Sequence, residues 1–338
     1  MKNVFLLLLA IIVLLNCSPH GDPLDKAEAF IEIKRYENAV EQAEVVIMQD
    51  PKNERAHFIK GKAYLLNGET VKAENEFDIA ILLETRMKEK VANIYYHYGL
   101  GRIDHNFSKA EDMFQKAVEK NPPFGSKISD QLIERWFSRM DISPEIPETA
   151  FKYLQLAIGF CPPEKTTNQK EKLSERLMKK SMERKEKEFI KSSAMLAFMA
   201  FQFNPLKKEE VTSHLLNLGC HAMDVQKDYE LGSEILQAII EETDKSIEEN
   251  DQFYFYYHLK TKEPKELKIK QAEDFMLTFP NSNYIEDVLF QVVQYHAYHL
   301  NYDKALFYLE KLQSDFPATR YKDQLSKIEE EIRQVRKG

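Results

Sequence analysis

His296 and His299 lie three residues apart in a stretch whose apolar spacing predicts a helix, so both imidazoles could share one face and hold a metal ion. A tetrahedral site needs two further ligands, and none stands at a matching spacing. The competing reading is a pair of histidines lining a helix interface or a groove. His214, Cys220 and His221 form a looser group. Cys220 and His221 are adjacent, so they leave a helix in different directions, and Cys220 reads as a small packed residue. Cys161 precedes Pro162 and Pro163 at a helix end. A Cys161–Cys220 bridge cannot be deduced from sequence, and two unpaired thiols are the preferred reading. There is no Gly-rich phosphate loop, no nucleophile elbow and no His-Glu-x-x-His. The expectation is a chain that is not an enzyme and carries no metal or cofactor. One alternative keeps ligand binding, metal binding or catalysis in the His- and Tyr-rich C-terminal stretch.

The elements that would position these residues come from a repeat. Gly61, Tyr64, Gly68, Ala73, Phe77 and Ala80 are echoed by Phe107, Ala110, Phe114, Ala117 and Pro122, and preceded by Ala27, Phe30, Tyr36, Ala39, Val46 and Pro51. Small, aromatic and proline positions recur together over a period of about 34 residues. Ala73 and Ala80 are two helical turns apart on one face. Small side chains there let a second helix lie close to a first, with Gly61 doing the same on the first helix and Tyr64 and Phe77 filling the remaining space. Asn67-Gly68 signals the turn between them. One such hairpin cannot cover its own apolar face, so neighbours must stack.

This pattern resembles the tetratricopeptide repeat (TPR). The resemblance implies an all-α, TPR-like α-solenoid, a right-handed superhelix of about eight helix hairpins. The clearest repeats occupy residues 24–122. Divergent units follow over 123–247, marked by Ala150, Ala157 and Pro162, by Ala197, Ala200 and Pro205, and by Leu218, Gly219, Tyr229, Leu236 and Ile239, with an added loop at 142–147. Residues 165–191 are dense in Lys and Glu. Leu173, Leu177 and Met178 give them a narrow apolar stripe, and Lys179, Lys180, Arg184, Lys185 and Lys187 read as a solvated face rather than a lipid or partner site. Residues 248–338 recover the pattern through Ala272, Phe275, Phe279-Pro280, Ala305, Leu309, Leu312 and Phe316-Pro317. Their phrasing resembles the repeats of barrel-assembly lipoproteins and of the Tol-Pal coordinator. Leu325, Ile328 and Ile332 line one face of a closing polar helix, as a terminal cap requires.

The first 16 residues read as an address. Lys2 precedes an apolar run over residues 4–15, too short for an ordinary transmembrane helix, and the run ends at Asn16-Cys17. This resembles a bacterial lipoprotein signal peptide with a loose, spirochaete-like lipobox. The resemblance implies a Cys17 cleaved on its N-terminal side and lipidated. The alternative is an ordinary secretory signal with an incidental cysteine. Residues 17–23 then form a tether that spans only about 20 Å when extended. Ser18 after the cysteine favours the outer membrane over the inner membrane of a cell envelope, by the enterobacterial sorting rule.

The formal net charge is −8, with 43% hydrophobic and 30% charged residues, which argues against a nucleic-acid partner. The function that the TPR resemblance implies is a membrane-anchored scaffold that binds a protein or peptide partner in the envelope. An accessory role in outer-membrane protein assembly is the nearer alternative. In TPRs the first helix of each pair lines the concave wall. Aligning the units places Tyr95, Arg102, Arg135, Arg139, Phe253, Tyr257, Gln294 and Tyr298 there, with core packing as the competing reading for each. Aromatic and Arg side chains are the usual anchors of an interface.

Overall fold

The computed structural model describes residues 21–142, 146, 150–186, 189–243, 245–260 and 263–337. The segment read as a signal peptide, Cys17 with its expected lipidation, most of residues 17–23 and most of residues 142–147 lie outside the described residues. Among those described there are seventeen α-helices and no strand. The fold is all-α and TPR-like.

Eight antiparallel helix pairs and a closing helix account for the described chain. They are α1 (Pro23–Glu32) with α2 (Tyr36–Gln49), α3 (Glu54–Leu66) with α4 (Thr70–Leu83), and α5 (Met87–Arg102) with α6 (Phe107–Lys120). Next come α7 (Phe124–Ile142) with α8 (Ala150–Phe160), α9 (Pro163–Glu186) with α10 (Ile190–Phe203), and α11 (Lys208–His221) with α12 (Tyr229–Glu242). Then α13 (Asp251–Tyr254) and its π turn (Phe255–Leu259) meet α14 (Ile269–Thr278), and α15 (Ile285–Tyr298) meets α16 (Tyr302–Asp315). Helix α17 (Lys322–Lys337) closes the chain. The described residues fall into two compact units, one within 21–139 and 150–166, the other comprising those of 140–146 and of 167–337.

Local chemistry sets the helix ends. Asn53, Asn106, Asp228 and Asn250 accept the N–H of the third helical residue at 2.9–3.0 Å, satisfying a donor the helix leaves open. Helices α1, α3 and α15 finish with a left-handed residue, Lys34 (φ 61°), Gly68 (φ 90°) and Leu300 (φ 60°). The next N–H closes back over the last turn, from Arg35 to Phe30, Glu69 to Tyr64 and Asn301 to His296, at 2.8–2.9 Å. The Asn67-Gly68 turn is therefore real, and the same turn is made at Lys34 and Leu300 without glycine.

In the first unit the small-residue rule holds as expected. Ala39, Ala73, Phe77, Ala80, Ala110, Phe114 and Ala117 are fully buried. Ala73, Phe77 and Ala80 recur three residues later than a 34-residue period would place them, at Ala110, Phe114 and Ala117, because α5 has 16 residues where α3 has 13. Tyr64 differs from expectation: it is half-buried, with Lys60 and Lys72 amino groups over its ring at 5.8 and 5.2 Å. Neighbouring second helices are laced by Lys116–Glu74 and Lys120–Asp78 ion pairs at 2.9 and 2.5 Å.

In the second unit Leu173, Leu177 and Met178 are buried as the stripe predicts. Arg184 is a correction. Its guanidinium is buried between α9 and α10, donating to Ser192 Oγ at 3.0 Å and to the Met140 carbonyl at 2.7 Å. Position 184 follows Leu173, Leu177 and Ser181 along the buried face, which overrides the charge of its neighbours. Lys180 pairs with Asp141 and Glu183, and Lys187 lies outside the described residues. The C-terminal cap behaves as expected: Leu325 and Ile332 are buried and Ile328 packs against the α15–α16 core.

Candidate functional site

The aromatic, cationic and concave surface of the first unit comes together where α3 and α5 run side by side. Tyr36, Lys62, Leu66, Ile94, His97, Tyr98, Gly101 and Arg102 line a concavity of about 370 Å³ there. Helix α5 supplies most of it, because Ile94, Tyr98 and Arg102 recur at intervals of four and share one face. Arg102 lies over the Tyr98 ring at 5.1 Å and donates to its hydroxyl at 3.3 Å. This cation–π arrangement holds the guanidinium against the wall with its other donors open to solvent. Among the described residues, neither Lys62 nor Arg102 makes an ion pair, and no carboxylate lines the concavity. The site therefore offers an aromatic floor with uncompensated positive charge, suited to an extended acidic segment.

Of the eight groove positions read from the sequence, only Arg102 belongs to this site. Tyr95 and Phe253 are corrections: both are fully buried. Tyr95 packs edge-on against Phe77 at 5.4 Å, and burial drives its hydroxyl pKa well above the ordinary phenolic range. Tyr95 and Tyr98 are three positions apart, but the helix turns the first toward α4 and the second toward the concavity. Arg135 and Arg139 have their charge committed to Asp104, at 2.6 and 2.5 Å. Tyr257 is half-buried, stacks on Phe253 at 5.3 Å and donates to the Gln237 side-chain oxygen. Gln294 is half-buried and Tyr298 is 57% exposed. Lys62, Tyr98 and His97 are the functional candidates that sequence reading missed. Lys62 follows Gly61, and Tyr98 precedes Gly99, so each sits beside a packing glycine that the repeat itself marks.

The histidine readings separate. His296 is buried with its ring stacked parallel to Tyr308 at 5.6 Å, and neither ring nitrogen has a hydrogen-bond partner. His299 is exposed, so the two do not form a ligand pair. No group of three or more His, Cys, Asp or Glu that could hold a metal occurs among the described residues. His214 meets Ser181 Oγ at 2.8 Å through Nε2, inside a network in which Ser181 and Ser193 each donate to the other's carbonyl at 2.7 Å. Burial lowers the pKa of His214, His258 and His296. Cys161 and Cys220 are free thiols, and burial pushes Cys220 up to about 12. A thiol so protonated is a poor nucleophile.

The consecutive aromatics at 253–257 stay together because α13 widens into a π turn. Phe253, Phe255 and Tyr256 are thereby all buried. Phe255 stacks on Tyr284 at 4.6 Å, and the Tyr256 hydroxyl donates to Asp224. Among the described residues, no helix is long and apolar enough to cross a membrane.

No protein-family model matches the chain, and no curated protein matches its sequence. Among solved structures, it is similar to the TPR domain of P58(IPK), at 13% identity and a TM-score of 0.27 over 93% of this chain and 97% of that one. It is also similar to PilW, a widely conserved type IV pilus biogenesis factor, at 13% identity and a TM-score of 0.21 over 88% and 94%. A third is the C-terminal part of a TPR repeat-containing protein from Cytophaga hutchinsonii, at 12% identity and a TM-score of 0.26 over 89% and 98%. These values are too low for a partner or an activity to be read across.

Proposed function

We propose that the chain is a membrane-tethered scaffold whose α3–α5 concavity holds an extended, acidic segment of a protein partner in the cell envelope. The observation that supports the binding half is the open positive charge of Lys62 and Arg102 on an aromatic wall where, among the described residues, neither pairs with a carboxylate. The few residues that carry most of the binding energy of an interface are enriched in Trp, Tyr and Arg. The tether half rests on the apolar run at 4–15 followed by Cys17. Two or more acyl chains anchor a protein stably. Tethering would raise the local concentration of a membrane-associated partner without any added contact. Ser18 favours the outer membrane.

A photo-crosslinking residue at Tyr98 tests the binding half in cells. A single crosslinked species that forms at position 98, is absent at the exposed control position Glu119, and disappears in the K62E/R102E variant supports the reading. Equal capture at both positions removes it. Metabolic labelling with a fatty-acid analogue, present in the natural chain and lost in C17S, tests the tether.

A further inference from the structure

Four of the five large exposed apolar side chains described in the first unit are arranged by the repeat, the fifth being Val71 at the start of α4. Met48 and Leu82 are 81% and 84% exposed, and Val45 and Ile79 accompany them one helical turn earlier. Each pair is separated by one 34-residue period, so the four side chains occupy equivalent places on α2 and α4. In the next repeat, where the period has grown to 37 residues, the equivalent places on α6 hold Lys116 and Glu119. Among the three hairpins at residues 23–120, the apolar stripe is thus confined to the first two.

Its position along those hairpins is specific. Antiparallel pairing puts the end of α2 beside the start of α1, where Leu24 shares a core with Val46 and Ile47. Arg55 at the start of α3 reaches Asp22 and Asp25, at 3.7 and 2.9 Å, so the first turns of α1 and α3 lie together. The end of α4 lies beside the start of α3 for the same reason as in the preceding pair. Val45, Met48, Ile79 and Leu82 therefore crowd the edge at which the chain enters α1. Cys17 precedes Pro23 by six residues, a span of about 20 Å.

We infer that this edge rests on the lipid surface, with Met48 and Leu82 inserted among the headgroups. The inference rests on the tether reading above. A short tether holds the entry edge of α1 near the bilayer, and side chains this exposed have apolar area to lose to it. The flanking charges are mixed, with Glu44, Asp78 and Glu84 beside Lys52 and Arg86. The contact is thus apolar rather than electrostatic and needs no anionic lipid. It would orient the first unit at the membrane where a lipid tether alone leaves it free to rotate.

The test uses the full chain isolated from membranes in detergent and reconstituted into phosphatidylcholine vesicles, with L82W as reporter and E119W as control. The native Trp136 is 4% exposed and provides a constant background, measured in the unsubstituted chain. Flotation of the vesicles reports the tether independently. The expected result is flotation of all three chains, with the L82W emission blue-shifted and lost in brominated lipid while E119W keeps its aqueous emission. Flotation with no shift and no quenching at position 82 overturns the inference and leaves the tether reading standing. Equal quenching at 82 and 119 also overturns it. Failure of the unsubstituted chain to float overturns both.

Discussion

Gly61 and Phe77 sit so close that a methyl group on Gly61 would lie 2.7 Å from the Phe77 ring and 3.2 Å from the Ala73 carbonyl oxygen. Gly99 meets Phe114 and the Ala110 carbonyl at the same two distances. The repeat is in effect this contact, made twice.

Alanine at position 61 gains about 1 kcal/mol of helix propensity but overpacks the interface by about 1–3 kcal/mol. G61A should therefore be net destabilising by about 1 kcal/mol, read from the urea midpoint. At Gly159, also helical, an added methyl meets nothing. G159A should be neutral or stabilising by up to about 1 kcal/mol. A stabilised G61A would contradict the packing described.

Leu300 adopts φ 60° while 68% exposed, so it contributes little packing in return for its left-handed backbone. L300G should raise stability by about 1 kcal/mol. Thermal melting of the two proteins decides it, and a lower midpoint for L300G would show that the Leu300 side chain has a contact that matters more.

Asp104 joins the end of the α5–α6 pair to α7 through Arg135 and Arg139. Burial opposes its charge, but the hydrogen bonds from the two guanidiniums hold its carboxyl below the usual carboxylate range. D104N should cost about 1–2 kcal/mol, since it leaves two cations facing one another. For a depressed carboxylate the stabilisation is present above its unfolded pKa and is lost as pH falls through the folded one. Wild type and D104N should accordingly converge in stability in strong acid; a constant difference would remove the electrostatic account.

His214, His258 and His296, all in the second unit, are each held neutral by burial, with pKa values below the ordinary 6.5. The unfolded chain then binds more protons than the folded one, so stability falls as pH drops below about 6.5. Neighbouring charges act in both directions: Lys185 and Glu210 on His214, Lys268 and Glu248 on His258, Lys304, His299 and Glu273 on His296. Melts at pH 7.5 and pH 5 should show the loss, and H296F should show less of it. An H296F profile parallel to wild type would mean that His296 titrates alike in both states.

Lys62 and Arg102 have no ion pair to break among the described residues. K62E/R102E should change the melting midpoint little while abolishing capture of an acidic partner. Capture by the natural chain should weaken between 50 mM and 500 mM salt, because open surface charge is screened. Salt-independent capture would point to an apolar grip instead.

The TPR-like, all-α architecture was legible from residue types alone. Ala73, Phe77, Ala80 and their echoes obey a spacing set by helix geometry, and a hairpin that needs small residues at fixed places shows them in any copy. The Asn67-Gly68 turn and the capping face of Leu325 and Ile332 were readable on the same grounds. Tertiary structure alone decided which way individual aromatics and cations point. Tyr95 and Tyr98 differ by less than one helical turn, yet one fills the core and the other floors the concavity. Arg102 and Arg139 are both exposed arginines, yet among the described residues only Arg139 finds a carboxylate, from a turn thirty-five residues earlier. Spacing along one chain specifies faces of a helix, whereas the identity of what each face meets depends on neighbours that only folding brings together.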